Sequence, residues 1–192
     1  MAHRFDPAMA GRLMSEERYG RLDPVKFLKG AGLAPGDSMV DLGCGPGFFA
    51  LAASAVVGPE GRVWALDVEP EMLGHLRRQG PPPNVFPLVC PESELPLRGG
   101  CADFVLLAFV IHEAAEPLRL LREVRRVMKP GAALCILDWE KVDEDEGPPL
   151  EERMAAAEAE ALAGRAGLSV TERTAPDGSW YAVRAVRPLA AP

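Results

Sequence analysis

The stretch VDLGCGPGF, residues 40–48, sets an acid, Asp41, two positions ahead of glycines at 43, 45 and 47, with Pro46 among them. Glycine lets a backbone turn sharply and approach a ligand, and a helix starting just after such a turn offers unpaired N–H groups. Asp67 stands 20 residues beyond Gly47, near the close of the strand-like run RVWALDV, 62–68. In a strand-turn-helix architecture an acid at that place accepts the two hydroxyls of a ribose. Loop and acid in register therefore point to a nucleoside ligand. A dinucleotide fingerprint would put its third glycine at position 48, which is Phe48. An acid beside the loop suits a ligand with an ammonium end rather than a pyrophosphate, which points away from NAD.

Such residues meet only if the scaffold brings successive strand ends to one rim. SMVDLG, 38–43, is a short apolar run closed by glycine and predicts a first strand, and FFALAASAVVG, 48–58, predicts a helix against a sheet. RVWALDV predicts a second strand, and PEMLGHLRRQG, 70–80, opens on proline and closes on glycine as a helix does. NVFPLVC, 84–90, is a third strand candidate; ADFVLLAFVI, 102–111, is the longest apolar run and suits a strand buried on both faces. In EPLRLLREVRRVMKPG, 116–131, Leu118, Leu121, Val124, Val127 and Met128 fall at helical spacing before a Pro-Gly stop. The arginines 119, 122, 125 and 126 lie opposite that stripe and are expected to face water. AALCILDW, 132–139, predicts a fifth strand. A polar acidic loop follows, then a helix over LEERMAAAEAEALAGRAG and two further strands, LSVTERT and WYAVRAV, around a DGS turn at 177–179. Strands alternating with helices, closed by a hairpin, predict a single α/β domain with a mainly parallel sheet and one antiparallel strand.

Composition narrows the function classes. A chain of 192 residues, 48% apolar and 26% charged, is enough for one full core and short for two. The net charge of −7 argues against a nucleic-acid partner, and no run approaches the ~20 apolar residues of a membrane span. The start, MAHRFDPAMAGR, lacks an apolar signal core, and Cys44, Cys90, Cys101 and Cys135 are scattered without a CxxC pair. These features predict free thiols, no metal site and a cytoplasmic location.

VDLGCGPGFFALAAS, VWALDVEPEML, LPLRGGCADFVLLAFVIHE and LLREVRRVMKPGAALCILDW resemble, in order, the motifs of class I S-adenosylmethionine-dependent methyltransferases. Within these the chain is most similar to the small-molecule, type 11 branch, which includes quinone-biosynthesis C-methyltransferases and arsenite methyltransferases. The resemblance covers residues 35–140; residues 1–34 would form an amino-terminal helical lid or edge segment and 141–192 a carboxyl-terminal helix and hairpin. It implies a Rossmann-like, doubly wound sheet of seven mainly parallel strands with the last antiparallel, which agrees with the hairpin. The implied cofactor is S-adenosyl-L-methionine, leaving as S-adenosyl-L-homocysteine.

Carried onto this sequence, the resemblance assigns the methionine end of the cofactor to Asp41 and the backbone at Gly43, Gly45 and Gly47. Asp67 would take the ribose, Val68 and Met72 the adenine pocket, and Ala108 with its neighbours would face the reactive methyl. Where the family has an acid for the adenine amino group this chain has Pro91, so Glu92 or Ser93 would substitute. His112, directly after the fourth strand and beside Glu113, is the best-placed general base, or else a contact to the acceptor without proton transfer. Phe5, Arg18 and Tyr19 are the lid candidates; a helix packed at the domain edge is the alternative for that segment. Arsenite methylation is disfavoured, because that chemistry resembles one needing several cysteines that converge on the metalloid, and here Cys44 and Cys135 fall within core elements. With few insertions to wall it, the acceptor site suits a small molecule, or a pocket completed by a second copy or another protein. Two other classes remain as rivals: a regulatory cofactor-binding relative without transferase activity, and an NAD-dependent oxidoreductase.

Overall fold

A computed structural model describes residues 7–144, 146–176 and 178–189. The described residues open with a 3-10 turn, Pro7–Met14, and two short helices, α1 (Glu16–Arg21) and α2 (Pro24–Ala31). The second has the punctuation its sequence asks for: Asp23 accepts the Lys26 N–H at 3.0 Å, Pro24 sits in the first turn, and Gly32 closes it at φ 105°. Then follow β1 (Ser38–Leu42), α3 (Phe48–Val57), β2 (Arg62–Asp67), α4 (Pro70–Arg78), β3 (Val85–Val89) and β4 (Ala102–Ala108). The last part runs through α5 (Pro117–Val127), β5 (Met128–Trp139), α6 (Ala156–Arg165), β6 (Ser169–Thr174) and β7 (Trp180–Val186).

The seven strands form one sheet in the order β3-β2-β1-β4-β5-β7-β6. Neighbours from β3 to β5 are parallel, and β7 inserts between β5 and β6 antiparallel to both. This is the Rossmann-like, doubly wound arrangement that the resemblance implies, with the last strand reversed. The chain leaves β1 toward β2 on one side and returns to β4 on the other, so the rim above β1 and β4 is the switch point where ligands bind in such sheets. One face is packed by α2, α3 and α4 around Met39, Phe49, Leu73, Leu76 and Leu106; the other by α5 and α6 around Val40, Leu107, Leu120, Val124 and Ala159. Every residue of β4 from Phe104 to Leu107 is at most 1% exposed, as a central strand covered on both faces requires.

Several boundaries differ from the sequence expectation. β4 ends at Ala108 rather than at 111, because Phe109 turns the chain out of the sheet at φ 60°. β5 begins at Met128, immediately after α5, and runs through the Pro-Gly pair expected to separate them. The helix expected from 150 is a 3-10 turn, Leu150–Glu152, and α6 starts only at Ala156. The cause is Arg153, which turns inward, is 3% exposed, and donates to the carbonyls of Glu140, Val142 and Pro148. The α5 arginines do more than meet water. Arg126 donates to the carbonyls of Leu95 and Leu97 at 3.0 and 2.9 Å, and Arg125 to that of Gly167 at 3.1 Å, tying neighbouring loops to the helix.

Candidate active site

The glycine loop is pinned from below and behind. The N–H groups of Gly43 and Cys44 both donate to the Leu66 carbonyl, at 2.8 and 3.0 Å, and Gln79 Nε2 donates to the Pro46 carbonyl at 2.7 Å. Gly43, Gly45 and Gly47 take φ values of 73°, 54° and 102°, where a side chain is strained. Space adds a second reason at two of them. A Cβ on Gly43 would lie 2.3 Å from Val110 Cγ2, and one on Gly47 would lie 2.5 Å from Leu76 Cδ1. At those positions the bare backbone admits neighbours from β4's exit turn and from α4. Gly45 is the more open of the three, with Leu13 as its nearest neighbour, 3.6 Å from a built Cβ.

Two carboxylates meet at the rim. Asp67 is buried at the end of β2; its Oδ2 accepts the Gly45 N–H at 2.8 Å and its Oδ1 the Glu69 N–H at 2.9 Å. The side chain thus couples the loop to β2, and each oxygen retains acceptor capacity. Asp41 is 1% exposed, and its Oδ2 has no hydrogen-bond partner among the described residues. Burial, then the charge of Asp67, pushes Asp41 up to about 7, against the pull of the Ala50 N–H and Arg18. Asp67 is raised as well, chiefly by burial, while its backbone hydrogen bonds oppose the shift. A buried acceptor without a donor is costly, by about 1–3 kcal/mol or more when charged. An incoming ammonium group relieves that cost, so this unmet acceptor fits the ammonium at the amino-acid end of S-adenosylmethionine.

The remaining sequence candidates are distributed unevenly. Ala108, 8% exposed, ends β4, Met72 is buried in α4, and Val68 is half-buried directly after Asp67. Glu92 is engaged elsewhere: its Oε1 accepts the N–H groups of Ala115 and Glu116 at 2.9 and 3.4 Å, capping the approach to α5. Ser93 lines a surface groove of about 440 Å³ with Leu95, Arg119 and Arg126, and that groove includes none of the other cofactor candidates. Beside Asp67 the structure instead places Cys90, whose N–H donates to the Asp67 carbonyl at 3.0 Å. Its buried thiol is pushed up to about 11 by burial and then by Asp67, so it stays protonated and uncharged.

The amino-terminal segment lies over this rim. Tyr19 packs on Phe48 with ring centroids 4.6 Å apart. The Arg18 guanidinium stands 4.5 Å from the Phe48 ring centre and 5.2 Å from that of Phe109, and donates to the Leu13 carbonyl at 3.2 Å. Burial lowers Arg18 to about 10, with the Asp41 charge opposing. Phe5 lies outside the described residues. Arg21 pairs with Glu146 and stacks 4.5 Å from Trp180, so α1 is fastened to the acidic loop after β5.

At the other end of the rim, His112 sits in a 3-10 turn, Ile111–Glu113, with its Nδ1 2.6 Å from Asp138 Oδ1 and its Nε2 3.9 Å from Glu113 Oε1. Sequence reasoning missed Asp138, although an acid near the end of a fifth strand repeats the pattern of Asp41 and Asp67. It also missed the packed rings of Phe109, Trp139 and Trp180, whose centroids are 5.3 to 5.9 Å apart. All four cysteines are free, and among the described residues no cluster of His, Cys, Asp and Glu could hold a metal ion. Among the same residues no helix is long and apolar enough to cross a membrane.

Comparison with known proteins agrees with the geometry. Residues 40–136 match the family described as Methyltransferase domain (Methyltransf_11). A crystal structure of a SAM-dependent methyltransferase from Aquifex aeolicus is 36% identical and superposes with a TM-score of 0.90, covering 96% of this chain and 100% of that one. The ubiquinone/menaquinone biosynthesis C-methyltransferase UbiE of Cupriavidus taiwanensis is 32% identical over 117 residues, 58% of this chain and 47% of that protein. The 2-phytyl-1,4-naphtoquinone methyltransferase of Trichormus variabilis is 30% identical over 118 residues, 59% of this chain and 52% of its own length. The chain thus spans about half the length of these two curated relatives. It belongs to the class I S-adenosylmethionine-dependent methyltransferases, in the type 11 branch.

Proposed function

We propose that this protein transfers a methyl group from S-adenosylmethionine to a small-molecule acceptor bound between the glycine loop and the ends of β4 and β5. The observation that carries the reading is the unpartnered, buried Asp41 oxygen beside Asp67, at the rim the fold reserves for ligands. The quinone-directed names of the curated relatives support a small-molecule acceptor. Asp41 and the loop amides would hold the amino-acid end of the cofactor, Asp67 the ribose hydroxyls, and Val68 with Met72 the base. When bound, the cofactor supplies a methyl group already activated by the positive charge on sulfur.

The chain's own contribution is then mainly placement. Orientation of two reactants in one site is worth about 7–11 kcal/mol of barrier, and lid closure by Leu13, Arg18 and Tyr19 would keep water out. A proton acceptor is needed only where the acceptor atom carries a proton, and His112 is the group positioned for that.

Two measurements test the reading. S-adenosylhomocysteine is expected to raise the melting temperature and NAD to leave it unchanged, since only a ligand that binds the folded state stabilises it. Incubation with labelled S-adenosylmethionine and a pool of small metabolites is expected to yield a labelled organic product. Tight product binding with no turnover across such pools would mark a cofactor-binding regulator instead.

A further inference from the structure

Asp138 at the end of β5 accepts three hydrogen bonds. Its Oδ1 takes His112 Nδ1 at 2.6 Å and the Trp139 N–H at 2.8 Å, and its Oδ2 takes the His112 N–H at 3.3 Å. Both side chains are almost wholly out of water, at 6% exposure for His112 and 1% for Asp138. An ionised carboxylate only accepts, so in the neutral ring the proton sits on Nδ1 and the lone pair on Nε2. The backbone contact fixes the turn while the side-chain contact fixes the ring, so both the place and the tautomer of His112 come from one acid. The same turn abuts the cofactor loop, because Val110, two residues earlier, fills the space beside Gly43.

We propose that Asp138 is a positioning residue that holds His112 with its proton on Nδ1, presenting Nε2 to take a proton from the methyl acceptor. The acceptor is then of a stated class: an oxygen or carbon acid whose proton must leave as it is methylated. The acceptor's bond to hydrogen breaks toward Nε2, and its electron pair forms the new bond to the methyl carbon. The old carbon–sulfur pair stays with sulfur, and the imidazolium left behind is neutralised by the Asp138 carboxylate. The charged groups around the ring agree. Burial by itself lowers His112, but Asp138, then Glu113 and Glu152, outweigh it and hold the ring above its ordinary value.

This inference rests on the transferase reading, and its first test does not depend on turnover. In the protein with labelled histidine, nitrogen NMR is expected to show His112 titrating above the ordinary histidine value. Above that midpoint the neutral ring is expected to carry its proton on Nδ1. Asp138→Asn is expected to lower the midpoint, because the carboxylate charge is gone. A wild-type proton on Nε2, or a midpoint indifferent to Asp138→Asn, overturns the proposal; if the variant does not fold, the wild-type tautomer alone decides. With an acceptor from the metabolite screen, Asp138→Asn should slow single turnover at least about 100-fold, with S-adenosylhomocysteine affinity unchanged. The acid limb of the pH profile should move down with the His112 midpoint. An acceptor without a proton to lose, such as a tertiary amine or thioether, also overturns it. A screen that yields no acceptor counts against the transferase reading, and the spectrum still decides the dyad.

Discussion

Asp41 and Asp138 are each 1% exposed, each lies near the carboxyl end of its strand, and they differ in what meets them. Asp138 is saturated by donors from its own chain, a ring nitrogen and two backbone amides. Asp41 keeps an oxygen with no partner among the described residues and faces a second carboxylate. A buried charge is tolerated when it is paired. The contrast separates an acid whose donors are built in from one that keeps an unmet oxygen, with only the weaker charge effect of Arg18 to offset that of Asp67. On the proposed reading the β1–β2 half of the rim would receive the cofactor, and the β4–β5 half would take part in the chemistry.

The sharpest way to break this comparison is Asp41→Asn, which keeps shape and removes charge. S-adenosylhomocysteine affinity is expected to fall by about 30-fold or more, in the range for losing one partner of a buried charge pair. The ligand-free protein should melt higher, because an uncompensated buried carboxylate is gone. Calorimetry and thermal unfolding showing both quantities falling together would mean that Asp41 is an internally paired acid, as Asp138 is.

Next in size is Asp67→Ala. We expect it to weaken S-adenosylhomocysteine more than tenfold by calorimetry while the far-ultraviolet circular dichroism stays native. An unchanged dissociation constant refutes the ribose assignment.

A smaller effect sharpens the comparison through pH. The folded value of Asp41 is near 7 against an ordinary 3.8, so the folded state holds the proton that the unfolded state gives up. The stabilising contribution is therefore complete below the ordinary value and is lost as pH rises toward about 7. For binding the sign is opposite: a cationic ligand needs the ionised acid, so affinity rises with pH up to about 7 and a proton is released. Calorimetry at pH 6 in buffers of different ionisation enthalpy should register that release, and Asp41→Asn should abolish it.

The smallest effect is expected from Arg21→Ala at the fastening between α1 and the acidic loop. An exposed ion pair is worth about 0–1 kcal/mol, so global stability should barely change. Limited proteolysis within residues 7–21 should nevertheless accelerate. A cleavage rate equal to wild type means that Tyr19 and Arg18 hold the segment without it.

The receptor half was the more legible in sequence. Asp41, the glycines and Asp67 sit within 27 consecutive residues, and their types and spacing state a local backbone problem. The antiparallel last strand was legible too, because a short turn between two strand-like runs forces reversal. The chemical half is made of pairs distant in the chain. His112 and Asp138 are 26 residues apart, and nothing in CILDW distinguishes an acid that binds a histidine from one that meets water. Arg153 was read as one more polar residue of a helix, yet its buried guanidinium organises the loop from 140 to 148. Gly43 and Gly47 were read for the ligand alone, whereas Val110 and Leu76 fill the room they leave.

The insertion of β7 between β5 and β6 has a consequence for biogenesis. The outer edge of β5 has no partner until residues 180–186 emerge from the ribosome, and β6, though made earlier, must wait for them before it can join the sheet. A nascent chain stalled ahead of Trp180 therefore displays an open, apolar template for cross-pairing with other chains. Assembly of this half therefore waits on the strand made last of the three.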